Sequence, residues 1–416
     1  RVLDPDTRCR NTQFQVLKTT RHVGFPSPGV VRSHPVGIRQ HLHPCAPFPH
    51  RLRRFRAEAQ LRLCQLAATA MTAACGTETS GRESEVLPTV DLPGVDGGAR
   101  DVAPAPLPRY GGVNLAGAEF APAKVPGTVA IDYTFPAPSQ IDYFLGKQAR
   151  IFRLPILWRR VQPTEKGPLD AAYVAAIDAV VAHATGKGAL VVLDVHDYGR
   201  YGGKTLGDQI PNATFADLWG KLAAHFRGNS LVIFGLMNEP HEQDVAAWLG
   251  AANAGIAAIR GAGAKNLITV PGLHWTSADF WERSGSTALG NVVDPGDNYV
   301  FEVHQYLDSD GSGTHDTCVS ATIGSERLTA FTAWARSKKK RAFLGEFAGG
   351  RNDLCAQALA DTLRYLEANP DVWFGSTYWA GGAWWPANYP FSVEPTGGSD
   401  RPQMAFLAAH WAKLPR

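Results

Sequence analysis

The chain has 416 residues, 44% of them hydrophobic, so it can bury a large core without needing a second large domain. Its formal net charge of +3 is close to neutral for this length and gives no reason to expect nucleic acid or an anionic membrane as the main partner. No apolar run reaches the roughly 18 residues of a membrane-spanning helix. The six cysteines form no CxxC pair and no Cys/His cluster with metal spacing, so we predict no metal site.

Residues 1–75 are basic and poor in large apolar side chains. Residues 1–70 hold eleven Arg and one Lys against three acids, whereas all eleven Trp lie at or beyond Trp158. An Arg-rich start, an Ala/Leu-rich stretch and small residues before Cys75 give 51–75 the outline of an export signal. We therefore expect a protein that is secreted or held at the cell envelope, with Cys75 as the residue that a lipoprotein signal would modify.

A Gly-, Pro- and Ser-rich stretch follows and predicts a linker over residues 76–105. We expect this stretch and the basic segment together to form a mostly disordered N-terminal region. Residues 106–416 have the composition of a globular domain, and all further predictions fall there.

Short β-branched runs alternate with amphipathic patterns through this domain. The predicted strands are 111–117, 149–156, 189–196, 231–238, 266–272, 299–306, 341–347 and 374–380. Helices are predicted around Val174–Val181, Leu218–Phe226, Leu328–Ala335 and Leu359–Leu366. An open doubly wound sheet usually carries a Gly-rich phosphate turn after its first strand, and GVNLAGAEF matches one poorly. The pattern therefore predicts a (β/α)8 TIM barrel.

Polar residues cluster where the predicted strands end. In a barrel these ends open into one shared mouth, so side chains distant in sequence meet there. The residues in question are Asn114, Glu119, Arg153, Asp194, His196, Asn238, Glu239, His304, Tyr306, Glu346 and Trp379. Burying so many polar groups together costs several kcal/mol unless a ligand or a network compensates, which favours a functional site.

Two carboxyl groups in this set suit glycoside hydrolysis. That reaction needs one protonated carboxyl group to donate to the leaving oxygen and one ionised carboxylate. Strands four and seven lie on roughly opposite sides of a barrel mouth, so Glu239 and Glu346 can face each other across a sugar. Arg153 can keep a carboxylate ionised, Tyr306 can donate a hydrogen bond to it, and Asn238 can bond a sugar hydroxyl.

The motifs resemble family 5 of the glycoside hydrolases, in particular its bacterial and fungal endo-β-1,4-glucanase branch, over about 109–416. The motifs that carry the resemblance are IDYFLGKQARIFRLPILWRRVQP, LDVHDYGRYGG, FGLMNEPH, HQYLDSDGSGTH, FLGEFAGG and YWAGGAWWPANYPFSVEP. It implies that Glu239 is the acid/base and Glu346 the nucleophile of a retaining enzyme. It also implies supporting roles for Arg153, His196, Asn238, His304, Tyr306 and Trp379. Two departures are Asp197, where relatives usually carry Asn, and Trp275, in a stretch where relatives often have Tyr.

Aromatic side chains after the strand ends suit the apolar faces of sugar rings. The substrate-binding prediction comprises Trp379, Trp275, Tyr198, Trp158, Trp384, Trp385 and, by hydrogen bonding, Asn114; Trp281 lies in a similar segment. Cys318 and Cys355 follow neighbouring strands six and seven, so we predict a disulfide between them, as the resemblance also implies. Such a bond favours an oxidising compartment.

The predicted function is endo-acting cleavage of β-1,4-glucosidic bonds in cellulose or related glucans by double displacement. A mannanase, xylanase or xyloglucanase would use the same carboxyl pair, and a non-catalytic glycan-binding barrel is the alternative from another class. No cofactor is expected, because the carboxyl pair suffices. The expected partner is a β-1,4-linked polysaccharide, bound by a monomer.

Overall fold

Eight parallel strands close into a barrel within residues 109–415, the part of the chain that the computed structural model describes. The strands, which we number β1 to β8, are Tyr110–Leu115, Ile151–Ile156, Leu190–Val195, Val232–Gly235, Ile268–Pro271, Tyr299–His304, Ala342–Glu346 and Trp373–Gly381. Each pairs with its neighbours in chain order, and β8 pairs with β1 to close the ring. The predicted (β/α)8 fold is confirmed. The predictions for residues 1–105, including the export signal and Cys75, lie outside the described residues.

Seven α-helices of nine or more residues alternate with these strands in residues 109–415, and a four-residue helix, Trp158–Val161, follows β2. We number the seven longer helices α1 to α7: Pro138–Gly146, Ala171–Thr185, Asn212–Phe226, Val245–Gly261, Ile323–Ser337, Asp353–Ala368 and Pro402–Trp411. Between β5 and β6 the chain forms only a 3-10 helix, Ser286–Asn291, instead of an α-helix. Short polar residues cap several N-termini: Asp170, Asp244 and Asn352 each accept a backbone N–H of the first turn. No helix among the described residues is long and apolar enough to cross a membrane.

The barrel interior is layered along the strands. Side chains two positions apart point to the same face of a strand, so β2 presents Ile151 and then Arg153, and β3 presents Val192 and then Asp194. Ile151 and Val192 belong to a buried apolar cluster built only from strand residues, with Ile233, Val300, Phe343 and Phe374. The next layer, towards the carboxyl ends of the strands, is polar. The apolar layer therefore forms the floor on which the polar residues rest.

The predicted disulfide between Cys318 and Cys355 is present. Their Cα atoms are 5.2 Å apart, and the bond closes a segment 37 residues long in sequence. Cys355 lies in the first turn of α6, and Cys318 lies in the segment between β6 and α5. The bond thus joins the loop that follows the sixth strand to the start of the helix that follows the seventh.

Candidate active site

The two carboxyl groups meet at the mouth of the barrel. Glu346 is the last residue of β7, and Glu239 follows β4 in a left-handed backbone conformation with φ of 42°. Both side chains are mostly buried. One carboxylate oxygen of Glu239 and one of Glu346 lie within 4.8 Å of each other. An approach this close fits retaining glycosidases, whose carboxyl groups are roughly 5 Å apart, and is shorter than the ~6.5–9.5 Å that leaves room for an attacking water.

The Glu346 carboxylate is held at both of its oxygens. Arg153 Nη1 donates to Oε1 at 2.9 Å, and the Tyr306 hydroxyl donates to Oε2 at 2.6 Å. Burial, followed by the charge of Glu346, raises the pKa of Tyr306 well above its ordinary value, so its hydroxyl keeps the proton that it donates. With a cation at one oxygen and a neutral donor at the other, the Glu346 carboxylate is fixed in orientation.

Arg153 connects several polar side chains in the layer above the apolar floor. Its guanidinium is fully buried and donates to Asn114 Oδ1 at 3.0 Å and to Asn238 Oδ1 at 2.8 Å. It also lies 3.1 Å from Asp194 Oδ1. Burial opposes its charge, but the surrounding carboxylates, Asp194 first, raise the pKa of Arg153 above its ordinary value. The planar, permanently charged fork therefore orients several groups at once.

Glu239 is bonded to His304 at the end of β6. His304 Nδ1 lies 3.0 Å from Glu239 Oε1, and Nε2 lies 3.2 Å from Glu302 Oε1. Burial alone would lower the pKa of His304, but Glu346, Glu239 and Glu302 raise it to about 9. Carboxylate oxygens face both ring nitrogens, an arrangement that favours the protonated ring.

A second histidine lies across the mouth. His196 Nδ1 bonds Asp194 Oδ2 at 2.7 Å, and the His196 ring stacks on Trp379 with centroids 5.8 Å apart. Although burial opposes it, Asp194 raises the pKa of His196. Nearby Glu119 accepts the Gly117 N–H at 2.7 Å, and burial raises its pKa to about 7 despite the opposing charge of His196.

The predicted aromatic residues occupy different environments. Trp379 and Trp275 are half-buried; Trp379 donates its indole N–H to Tyr389, and Trp275 stacks on His241 with centroids 4.5 Å apart. Tyr198 is half-buried beside His196. Trp384 is 37% exposed, and Trp385 has one face stacked on Tyr389 at 4.2 Å. These rings remain candidates for contact with sugar.

Three predicted contacts are wrong. Trp158 is fully buried, and its ring packs against Tyr201 and Phe215, so it cannot stack on a sugar. Trp281 is likewise enclosed in the core. Asn114 is fully buried; its amide donates to backbone oxygens of β7 and β8, among them Gly345 O at 2.9 Å. Asn114 therefore positions Arg153 instead of binding substrate.

The sequence analysis missed Glu302. This buried residue of β6 contacts both Arg153 and His304. Strand parity could have found it, because Glu302 lies two positions before His304 and so shares its face. A charged residue in the middle of a buried strand was the available signal.

A (β/α)8 barrel with two carboxyl groups facing each other at its mouth, one bonded to Arg and Tyr and the other to His, has the constellation of a glycoside hydrolase. The sequence model of the cellulase family, glycosyl hydrolase family 5, matches residues 113–382. The chain belongs to this family.

Named relatives agree with that assignment. The chain is 42% identical over 289 residues to endo-beta-1,4-glucanase B of Aspergillus niger, covering 69% of this chain and 86% of the relative. Among solved structures, an endo-beta-1,4-glucanase from Xanthomonas axonopodis pv. citri is 48% identical, with a TM-score of 0.72 over 73% of this chain and 98% of that chain. Endoglucanase Cel5A of Pseudomonas stutzeri, solved with cellobiose, is 33% identical, with a TM-score of 0.68 over 74% and 95%.

Proposed function

We propose that this chain is a retaining endo-β-1,4-glucanase with Glu346 as the nucleophile and Glu239 as the acid/base. The observation that carries the proposal is the approach of the two carboxylates to within 4.8 Å. The Arg153 and Tyr306 contacts suit an ionised nucleophile. The named relatives, all described as endo-β-1,4-glucanases or endoglucanases, support the choice of substrate.

The first step makes a covalent glycosyl-enzyme. A Glu346 oxygen attacks the anomeric carbon while the bond from that carbon to the leaving oxygen breaks, and Glu239 gives its proton to that oxygen. His304, bonded to Glu239, holds the acid in line with the leaving group. Asn238 Nδ2 has no hydrogen-bond partner among residues 109–415, so its amide can donate to a hydroxyl of the reacting sugar.

The second step releases the sugar. Glu239, now ionised, takes a proton from water as the water oxygen attacks the anomeric carbon and the bond to Glu346 breaks. Two displacements at the same carbon return the original β configuration. Arg153 and Tyr306 stabilise the negative charge of the Glu346 carboxylate as it leaves the sugar.

The substrate is a β-1,4-linked glucan. One solved relative, 48% identical over 73% of this chain, was crystallised with cellopentaose, which requires a cleft for several sugars. The proposed stacking surfaces for the sugar rings are Trp379, Trp275 and Trp384. A mannanase or xylanase would use the same carboxyl pair, so the substrate is decided by assay and not by the pair itself.

The enzyme acts outside the cytoplasm. A buried disulfide beside the site supports an oxidising compartment, because such bonds are rare where thiols are kept reduced. Attachment to the cell envelope through a lipid on Cys75 is the finer form of this proposal.

A panel of soluble polysaccharides tests the function. Purified protein should release reducing ends fastest from a β-1,4-glucan, with a rapid fall in viscosity that marks internal cleavage. Faster release from mannan or xylan would replace the proposed substrate. Binding without release of reducing ends would favour the non-catalytic alternative.

A further inference from the structure

Glu302 lies beneath the site, where no sugar reaches it. It is 1% exposed and sits in the middle of β6 with its side chain in the barrel. An isolated carboxylate at such depth is costly, and buried charges persist only when paired. The groups paired with Glu302 therefore indicate its role.

Glu302 contacts both halves of the carboxyl pair at one remove. Its Oε1 lies 3.0 Å from Arg153 Nε and 3.2 Å from His304 Nε2. Arg153 in turn bonds the Glu346 carboxylate, and His304 bonds the Glu239 carboxylate. Within residues 109–415, this makes Glu302 a carboxylate shared by the cation behind the nucleophile and the cation behind the acid.

The backbone is shaped around this carboxylate. Thr269 of β5 donates its hydroxyl to Oε2, which fixes the rotation of the group. On the other side, a Cβ on Gly345 would come 2.3 Å from Glu302 Oε1. Any side chain at Gly345, the residue before the proposed nucleophile, would therefore displace the Glu302 carboxylate. The position of the Glu302 carboxylate is thus fixed by contacts from four strands. They are Thr269 on β5, Gly345 on β7, Arg153 on β2 and His304 on β6.

The charges facing His304 come from four strands or strand ends. They are Glu302 on its own strand, Glu239 after β4, Glu346 at 3.7 Å on β7, and the opposing cation Arg153 on β2. Removing the negative charge of Glu302 would leave less negative charge near His304 to offset its repulsion by Arg153. Loss of a nearby negative charge lowers the pKa of a cationic acid and of a neighbouring carboxyl group alike.

We propose that Glu302 is a positioning residue that holds Arg153 and His304 in fixed relation, and so couples the orientation and proton affinity of Glu239 to the placement of Glu346. This inference rests on the proposed function of the carboxyl pair. Glu302 itself touches neither substrate nor reacting atoms.

The test compares Glu302→Gln with Glu302→Asp on a soluble cello-oligosaccharide. Glu302→Gln keeps the shape but removes the charge, so the alkaline limb of the pH profile of kcat/KM should move to lower pH by about 1 unit. We expect kcat to fall roughly 10- to 100-fold from misalignment, with little change in KM. Glu302→Asp restores the charge and should return the alkaline limb to its wild-type position.

Glu367→Gln provides a matched control. Glu367 bonds a buried histidine, His410 of α7, at 2.7 Å and so repeats the Glu-His pair away from the carboxyl pair. This variant should leave kcat and the alkaline limb unchanged. An alkaline limb of Glu302→Gln at the wild-type pH would overturn the inference. Equal losses of kcat in Glu302→Gln and Glu302→Asp, with no shift of the alkaline limb, would also overturn it, because that pattern indicates a packing effect alone.

A spectroscopic measurement covers the case in which Glu302→Gln does not fold. In the wild-type protein, nitrogen NMR of His304 should show both ring nitrogens protonated at neutral pH. A ring with one unprotonated nitrogen at pH 7 would contradict the inference. Wild-type protein that releases no reducing ends would instead refute the proposed function, so the two failures are distinguishable.

Discussion

Tyr306 donates a hydrogen bond to the one oxygen of Glu346 that Arg153 does not hold, at 2.6 Å. This bond orients the carboxylate for attack, and it must weaken as Glu346 forms its covalent bond to the sugar. The Tyr306 hydroxyl and the Arg153 guanidinium thus each bond a different oxygen of Glu346. This arrangement explains how a single nucleophile can be fixed in position while remaining a good leaving group in the second step.

Tyr306→Phe should lower kcat by about 10- to 100-fold, because the hydrogen bond that stabilises the departing Glu346 carboxylate in the second step contributes about 1.5–3 kcal/mol. KM should change little. The comparison is Tyr201→Phe, which removes a buried hydroxyl bonded to the Gln162 carbonyl oxygen instead. Steady-state kinetics of both variants should show the loss only for Tyr306, and equal kcat values would contradict the assigned role.

Glu239→Ala should slow substrates with poor leaving groups far more than activated aryl glycosides. A cello-oligosaccharide needs a proton on its leaving oxygen, and general acid catalysis contributes about 10²- to 10⁴-fold. An aryl leaving group departs as a stable anion and needs no such help. Measurements of kcat/KM, which report the first step, should separate the two substrates, whereas similar losses on both would exclude the acid role.

Asp197→Asn should change how stability depends on pH. Burial raises the pKa of Asp197 to about 7, although the Trp158 backbone N–H opposes this by donating to the carboxylate. The unfolded pKa is about 3.9, so the folded state favours the protonated form, and stability is lost as pH rises from about 4 to about 7. The neutral Asn avoids that loss.

Urea unfolding across this range is the measurement. The stability advantage of Asp197→Asn over the wild type should grow between about pH 4 and pH 7 and then level off. A constant difference across the range, or one that shrinks as pH rises, would contradict the raised pKa of Asp197.

Replacing both Cys318 and Cys355 by Ala should lower the free energy of unfolding by about 4 kcal/mol. The figure follows from the chain-entropy model for a loop of 37 residues. Denaturant unfolding of the variant and the wild type measures it. Wild-type protein treated with a reductant should approach the variant, and a variant as stable as the untreated wild type would refute the role of the bond.

The fold was predictable because its signals are local and repeated. Eight buried β-branched runs fell on the eight barrel strands, and the four predicted helices formed. The sequence did not reveal that only a 3-10 helix, Ser286–Asn291, lies between β5 and β6. The hairpin Arg200–Tyr201 with Lys204–Thr205 was also missed, although its turn carries Gly202 and Gly203, both with positive φ, a recognisable hairpin signal.

Side-chain direction limited the prediction of the site. Placing polar residues at strand ends brought Glu239, Glu346, Arg153, His304 and Tyr306 together, because the barrel fixes where strands end. The same reasoning placed Trp158 wrongly in the cleft. Trp158 begins the short helix Trp158–Val161, and its ring is buried in the core. Depth along a strand also mattered, since Asn114 and Glu302 face inward below the level that a sugar reaches.

Trapping the covalent intermediate tests the central claim most directly. A 2-fluoro cellobioside with a good leaving group should form a glycosyl-enzyme quickly and release it slowly, because the fluorine disfavours both oxocarbenium-like transition states. Peptide mass spectrometry should then place one added 2-deoxy-2-fluorocellobiosyl group on Glu346. A label on Glu239 or on any other residue, or turnover without a label and with an α-configured first product, would contradict the account.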